Sequence, residues 1–350
     1  MTVAVERQND RHIVVREDWL RLNQEPALEP ALPVIDPHHH LWDLPVRPQR
    51  YFLDEFRADL ASGGHNIVAT VFIECHACYR ATGPENMKPV GEVEFANGQA
   101  AASASGHYGP TRVAAGIVGY APLGLGTKVG PILEAMVTAG GGRFKGVRNI
   151  SAWHKDPEAR GSSANPPPDV LTNPAFLDGL RLHARMGLVF DAFMYHTQLA
   201  EIAAVARAVP EATIVLNHCG GTIGIGSYAA RHAETFAEWK ALMREVAACP
   251  NVHVKLGGLG MRLFGFDVHT HALPPSSEQL AAAWGPTIET CIELFGPKRA
   301  MFESNFPVDK GSCSYGNLWN AFKRITQSAS ADEKNWLFQR TAAEVYRLGA

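Results

Sequence analysis

Eight short apolar runs rich in Val, Ile and Phe recur along the chain, each bounded by Gly, Pro or Asn: 32–36, 67–74, 113–121, 143–150, 188–194, 213–219, 252–258 and 300–306. Apolar runs of this length are the pattern of strands buried on both faces of a parallel sheet. Between them lie segments of helical period. In 229–248, Ala229, Ala233, Phe236, Trp239, Met243 and Val246 fall on one face in steps of three and four residues. The segment 277–295 opens with an N-cap serine and Glu278 in its first turn, then sets Leu280, Trp284, Ile288 and Ile292 in one stripe. A third helix is expected over 331–347, after the start signal Ser330-Ala331-Asp332-Glu333.

This alternation predicts an α/β fold of the (β/α)8 TIM-barrel type. An open doubly wound sheet fits less well, and no glycine-rich dinucleotide fingerprint follows the first strand. The 350 residues suffice for one such barrel. Residues 1–30 are polar and aperiodic and read as an arm packed on the barrel or on a neighbouring subunit. Residues 31–350 then form a single barrel domain, and the arm leaves room for a homodimer. The stretches 75–112 and 151–172 exceed ordinary connections. Both follow C-terminal strand ends, where barrels build active sites, and are expected to enclose a substrate.

Charge and cysteine usage narrow the function classes. Lys plus Arg total 32 against 35 Asp plus Glu, so neither nucleic acid nor an anionic membrane has an electrostatic claim as partner. The N-terminus is charged where a signal peptide is apolar, and no apolar run approaches the ~18 residues of a membrane helix. A soluble cytoplasmic protein acting on a small molecule is expected. The six cysteines read as free thiols, since Cys75-His76-Ala77-Cys78 has no second pair at zinc-finger spacing.

Histidine carries the chemistry. The first strand ends in His38-His39-His40, and alternation sends His38 and His40 to one side and His39 to the other. Two converging imidazoles can be presented to one divalent metal, or can form only a hydrogen-bonded pair. The sixth strand also ends in a histidine, His218. Where a metal-dependent barrel hydrolase would end its eighth strand in a carboxylate, this chain has Asn305.

The segments VIDPHHHLWD, FKGVRN, VLNHCGG, NVHVKLGGLG and FESNFPVD together resemble the amidohydrolase superfamily, in particular its amidohydrolase-2 branch. That branch includes sugar lactonases, 2-pyrone-4,6-dicarboxylate lactonase and nonoxidative aromatic-acid decarboxylases. The resemblance implies a TIM barrel with His38, His40 and His218 as ligands of a divalent metal, zinc first. It also implies a fifth-strand ligand, for which Asp191 and His196 are the nearest residues. Asn305 departs from the branch's aspartate, and a neutral amide neither charges the site nor takes a proton. Because some lactonases of the branch work without metal, the histidines could bind the substrate carbonyl instead.

Ionisable residues on the inner strand faces must be paired or working. They are Glu74, Lys145, Arg148, Lys255 and Glu303. Glu74 or Glu303 could neutralise Lys255 or Lys145. Arg148, near its strand end, suits a bidentate grip on a substrate carboxylate, with Lys145 and Lys255 as further substrate contacts. Asp309, four residues past Asn305, is either the general base or a turn residue. The glycines of 220–226 lack the lysine of a phosphate loop and suggest close backbone approach beside His218.

These readings converge on a hydrolase that opens a carboxylate-bearing lactone or related cyclic ester by water attack. His38, His40, His218, Asn305 and Asp309 form its catalytic set. Two alternatives stand beside it: nonoxidative decarboxylation or hydration of an aromatic-derived acid, and a non-catalytic barrel that binds a small acid.

Overall fold

The computed structural model describes residues 12–45, 47, 49–161, 164 and 166–349. All eight apolar runs form parallel strands: β1 (Val34–His39), β2 (Ile67–Ile73), β3 (Arg112–Gly119), β4 (Phe144–Ile150), β5 (Val189–Phe193), β6 (Thr213–Leu216), β7 (Val252–Leu256) and β8 (Ala300–Phe302). They pair in chain order from β1 to β8. Two bonds join the ends of the sheet: the His40 N–H donates to the Phe306 carbonyl at 2.8 Å, and the Asn305 N–H to the His38 carbonyl at 2.9 Å. The same bonds bring the end of β1 beside Asn305.

Helices cover the barrel: α1 (Leu53–Gly63), α2 (Val90–Ala104), α3 (Gly130–Ala139), α4 (Pro174–Arg185), α5 (Leu199–Ala208), α6 (His232–Ala247), α7 (Ser277–Phe295) and α8 (Tyr315–Ile325). The α7 boundaries match expectation because Ser276 and Gln279 cap each other reciprocally. Two expectations need correction. The stretch 75–112 is not one long loop, since α2 fills its second half; Gly91, Asn97, Gly98 and a run of alanines gave that helix no apolar stripe. The run 331–347 is not one α-helix either. A π-turn at Trp336–Arg340 separates α9 (Ala331–Asn335) from α10 (Thr341–Val345).

Outside the strands, Phe56, Phe176, Trp239, Trp284 and Trp319 anchor the helices in the main core. Inside, Ile35, Val71, Val118, Val189, Val215 and Met301 fill the bore. Val345, Tyr346 and Leu348 plug its N-terminal end. From residue 12 on, the arm packs on its own barrel: Trp19 is buried and donates through Nε1 to the His271 carbonyl, and Glu25 accepts from the Ser277 N–H. Among the described residues no helix is long and apolar enough to cross a membrane. All six cysteines are unpaired.

Gly146 marks the tightest strand contact. A Cβ there would lie 1.9 Å from the Val189 carbonyl oxygen of the neighbouring strand. Gly146→Ala is expected to cost about 3 kcal/mol. Gly124→Ala, with nothing within 4 Å of its new methyl, should stay within about 0.5 kcal/mol. Urea unfolding midpoints of the two variants check this.

Candidate active site

At the end of β1 the side chains part as alternation requires. His39 leaves the bore, with its ring stacked on Phe56 and its Nε2 2.8 Å from the Thr70 hydroxyl. His38 and His40 turn inward, with ring centroids 5.0 Å apart. His218, just past β6, brings a third imidazole to 4.6 Å from His38. The backbone is strained here, for His218, Cys219 and Asn305 all adopt positive φ near 50°. Gly258, after β7, must lack a side chain, because a Cβ would stand 2.2 Å from His218 Nδ1.

Glu303 ties two of the three rings together from the turn after β8. Its Oε1 accepts from the His218 backbone N–H at 3.0 Å and from His218 Nδ1 at 2.7 Å, and its Oε2 lies 2.7 Å from His38 Nδ1. Two cations approach His38 from opposite ring nitrogens: Arg148 Nη1 at 3.3 Å from Nε2, and Lys255 Nζ at 3.4 Å from Nδ1. Burial first, then these charges, hold the His38 pKa well below its usual value, so the ring is neutral.

His40 has a different environment. Its Nδ1 donates to the Ile73 carbonyl at 2.8 Å, which leaves Nε2 without a proton in the neutral ring, facing Asn305 Oδ1 at 3.3 Å. Asn305 Nδ2 donates to Asp309 Oδ1 at 2.8 Å, and Asp309 Oδ2 accepts from the Gly260 N–H. Burial pushes the Asp309 carboxyl up to about 8. One amide rotation lets Asn305 serve both protonation states of Asp309. Toward the carboxylate it donates Nδ2. Toward the neutral acid it accepts through Oδ1 and offers Nδ2 to His40.

A cavity of about 490 Å³ opens over these residues at the C-terminal mouth, with His40, Glu74, Arg148, His218 and Asn305 in its wall. Several expected residues lie elsewhere. Lys145 sits at the start of β4 with Nζ on the Gly142 carbonyl; it and Arg148 are three residues apart, so alternation cannot turn both inward. Lys255 is fully buried beneath His38, where Asp191, not Glu74 or Glu303, neutralises it at 2.6 Å. Asp309 stands behind Asn305, outside the cavity wall. Asp191 is thereby spent on Lys255, and His196 accepts from the Ile223 N–H away from the cavity. Glu74 is the partner of Arg148, taking Nε on Oε1 at 2.7 Å and Nη2 on its carbonyl at 2.5 Å.

Sequence reasoning passed over Trp42, Arg47, His76 and Tyr120, which line the upper wall, and the arm residues His12 and Ile13, which reach the same cavity. The HLWD segment after β1 was the available signal for Trp42. His12 and Ile13 had none.

The donor atoms of His38, His218 and Glu303 lie within 4.8 Å of one another, all buried. Two imidazoles and a carboxylate fit a divalent ion in number and kind. This trio differs from the expected one: His40, committed to Ile73 and Asn305, falls outside it, and Glu303 takes its place.

A closed eight-stranded βα barrel with imidazoles and a carboxylate gathered at its C-terminal mouth defines a barrel hydrolase. The chain belongs to the amidohydrolase family, whose sequence profile matches residues 35–348. It is 32% identical to the protein y4mH of Sinorhizobium fredii over 335 residues, covering 90% of this chain and 98% of that one. Over 165 residues it is 32% identical to the L-fucono-1,5-lactonase of Burkholderia multivorans, 46% of this chain and 51% of the lactonase. In fold it matches the crystal structure of an amidohydrolase from Burkholderia multivorans with bound zinc. That match has a TM-score of 0.68 at 22% identity and covers 90% of this chain and 99% of the other.

Proposed function

We propose that the protein hydrolyses a lactone or related cyclic ester that carries a carboxylate. The observation behind this reading is the pair of acceptors that the ionised form of Asp309 sets up, His40 Nε2 and Asn305 Oδ1, which face each other at 3.3 Å in the cavity wall. Two such acceptors seat the two O–H bonds of one water and leave its lone pair for a carbonyl. As water attacks, His40 takes a proton at Nε2 and the new N–H donates to Asn305 Oδ1. Asn305, held through Nδ2 by the ionised Asp309, keeps Oδ1 on this N–H, and the Asp309 carboxylate balances the imidazolium. Arg148, held by Glu74 at the cavity edge, faces the carbonyl oxygen as it gains negative charge. Ring opening then returns the proton from His40 to the departing alkoxide. Lactonase relatives support the lactone part of this reading.

His38, His218 and Glu303 would hold the divalent ion, zinc in our reading, and when bound it supplies Lewis-acid polarisation of the carbonyl.

The test is a panel of carboxylated lactones assayed by acid release and by carbon dioxide release. Acid without carbon dioxide is expected. His40→Ala should lower kcat by about 10²- to 10⁴-fold. Carbon dioxide release would move the protein to the decarboxylases. A panel without turnover, or a His40→Ala rate near that of the parent, would remove the reading.

A further inference from the structure

The carboxylate of such a substrate needs a cation, and the arginine nearest the chemistry is already engaged. Arg148 gives Nε and Nη2 to Glu74 and Nη1 to His38, so three of its five N–H bonds, one from every nitrogen, are already directed at the protein. We propose that Arg47, stacked on Trp42 at the mouth of the cavity, is the group that grips the carboxylate and sets the preference for an acidic lactone; this rests on the lactonase reading above. Arg47 lines the same cavity as His40 and His218, and its guanidinium lies 4.4 Å from the Trp42 ring centroid.

Three observations carry the assignment. First, among the described residues the guanidinium forms no ion pair and the cavity has a single lining carboxylate, Glu74, which is spent on Arg148 with its other oxygen toward His76. Second, Trp42 fixes the group: its Nε1 donates to the Gln49 carbonyl, and stacking on the ring holds the planar fork while leaving its N–H edge to a ligand. Third, Trp42 also stacks on His40, with ring centroids 5.9 Å apart. One indole thus positions both the anion grip and the proton acceptor, so a small ring can bridge them. Burial lowers the Arg47 pKa to about 10, and the group stays charged at neutral pH.

The experiment compares a γ-lactone carrying one carboxylate with its neutral methyl ester, in the parent protein and in Arg47→Met and Arg47→Lys. Thermal melts confirm folding of each. The parent should prefer the acid in kcat/KM. In Arg47→Met that acid-over-ester ratio should fall about 10- to 100-fold, mostly through KM for the acid. Arg47→Lys should recover part of it. A ratio that stays within about two-fold of the parent overturns the assignment while hydrolysis itself still stands. If neither compound is turned over, the lactonase reading fails on its own, and citrate binding by calorimetry tests the grip directly. An unchanged citrate affinity in Arg47→Met discards it, and a loss of about 10-fold or more upholds it.

Discussion

Glu303→Gln is expected to lower kcat/KM by about 10³-fold or more and to strip bound divalent metal from the purified protein. The reason is that one carboxylate accepts two hydrogen bonds from His218, through its backbone N–H and Nδ1, and sets its other oxygen 2.7 Å from His38 Nδ1. A glutamine has one acceptor end and one donor end. If its oxygen keeps His218, its NH2 group faces His38 Nδ1 and forces the proton of that ring onto Nε2. There it meets Arg148 Nη1, a donor against a donor, in a fully buried site. The three residues that would hold the ion also lose their only anion. Elemental analysis and steady-state kinetics on the same preparation give both readouts. A variant with parent-like kcat/KM would show that the Glu303 tie is structural and lies outside the chemistry. Glu303→Ala is a poorer test, since it leaves a cavity as well.

The strands and the inward histidines were legible because their signals are local. A buried parallel strand must be apolar over its whole length, and alternation alone separates His39 from its neighbours. The pairing of buried charges was not legible. Arg148 finds Glu74 from 74 residues away, and Lys255 finds Asp191 from 64 residues away, across the bore between strands that do not touch. Nothing in the spacing of these residues tells which anion meets which cation. The same geometry promoted Glu303 from a neutralising partner to the tie between His38 and His218, and set Asp309 behind Asn305. Lys145 could have been excluded at the outset, since its parity differs from that of Arg148. The arm was legible only as aperiodic, because its anchor is a set of hydrogen bonds to α7 and α8 and not an apolar stripe.

Acid should unfold this protein cooperatively near pH 5. The barrel buries its imidazoles as neutral rings: burial lowers His39 and His183 to about 3, His65, His196 and His253 to about 4, and His38 and His40 in the same direction. An unfolded histidine titrates near 6.5. With the folded value depressed, the unfolded chain binds the proton first. The stability these rings confer is therefore complete above pH 6.5 and is lost as pH falls from there toward 4. Buried carboxyls work the other way. Asp36 rises to about 6, Glu92 and Asp309 to about 8, and Asp59 rises too, so each loses stability as pH climbs through that range. Seven histidines against four carboxyls leave an excess of about three protons taken up on unfolding, or about 4 kcal/mol per pH unit. Two such units remove about 8 kcal/mol, all of the stability of a domain in the lower half of the usual range of about 5–15 kcal/mol, and the stability maximum lies between pH 6 and 7. His183, fully buried on α4 far from the catalytic rings in sequence, gives the clean check. In His183→Gln, proton uptake on acid unfolding should drop by about one, and the acid limb of stability should become shallower by about 1.4 kcal/mol per pH unit. If the limb keeps its slope, the acid sensitivity belongs to groups other than the buried imidazoles.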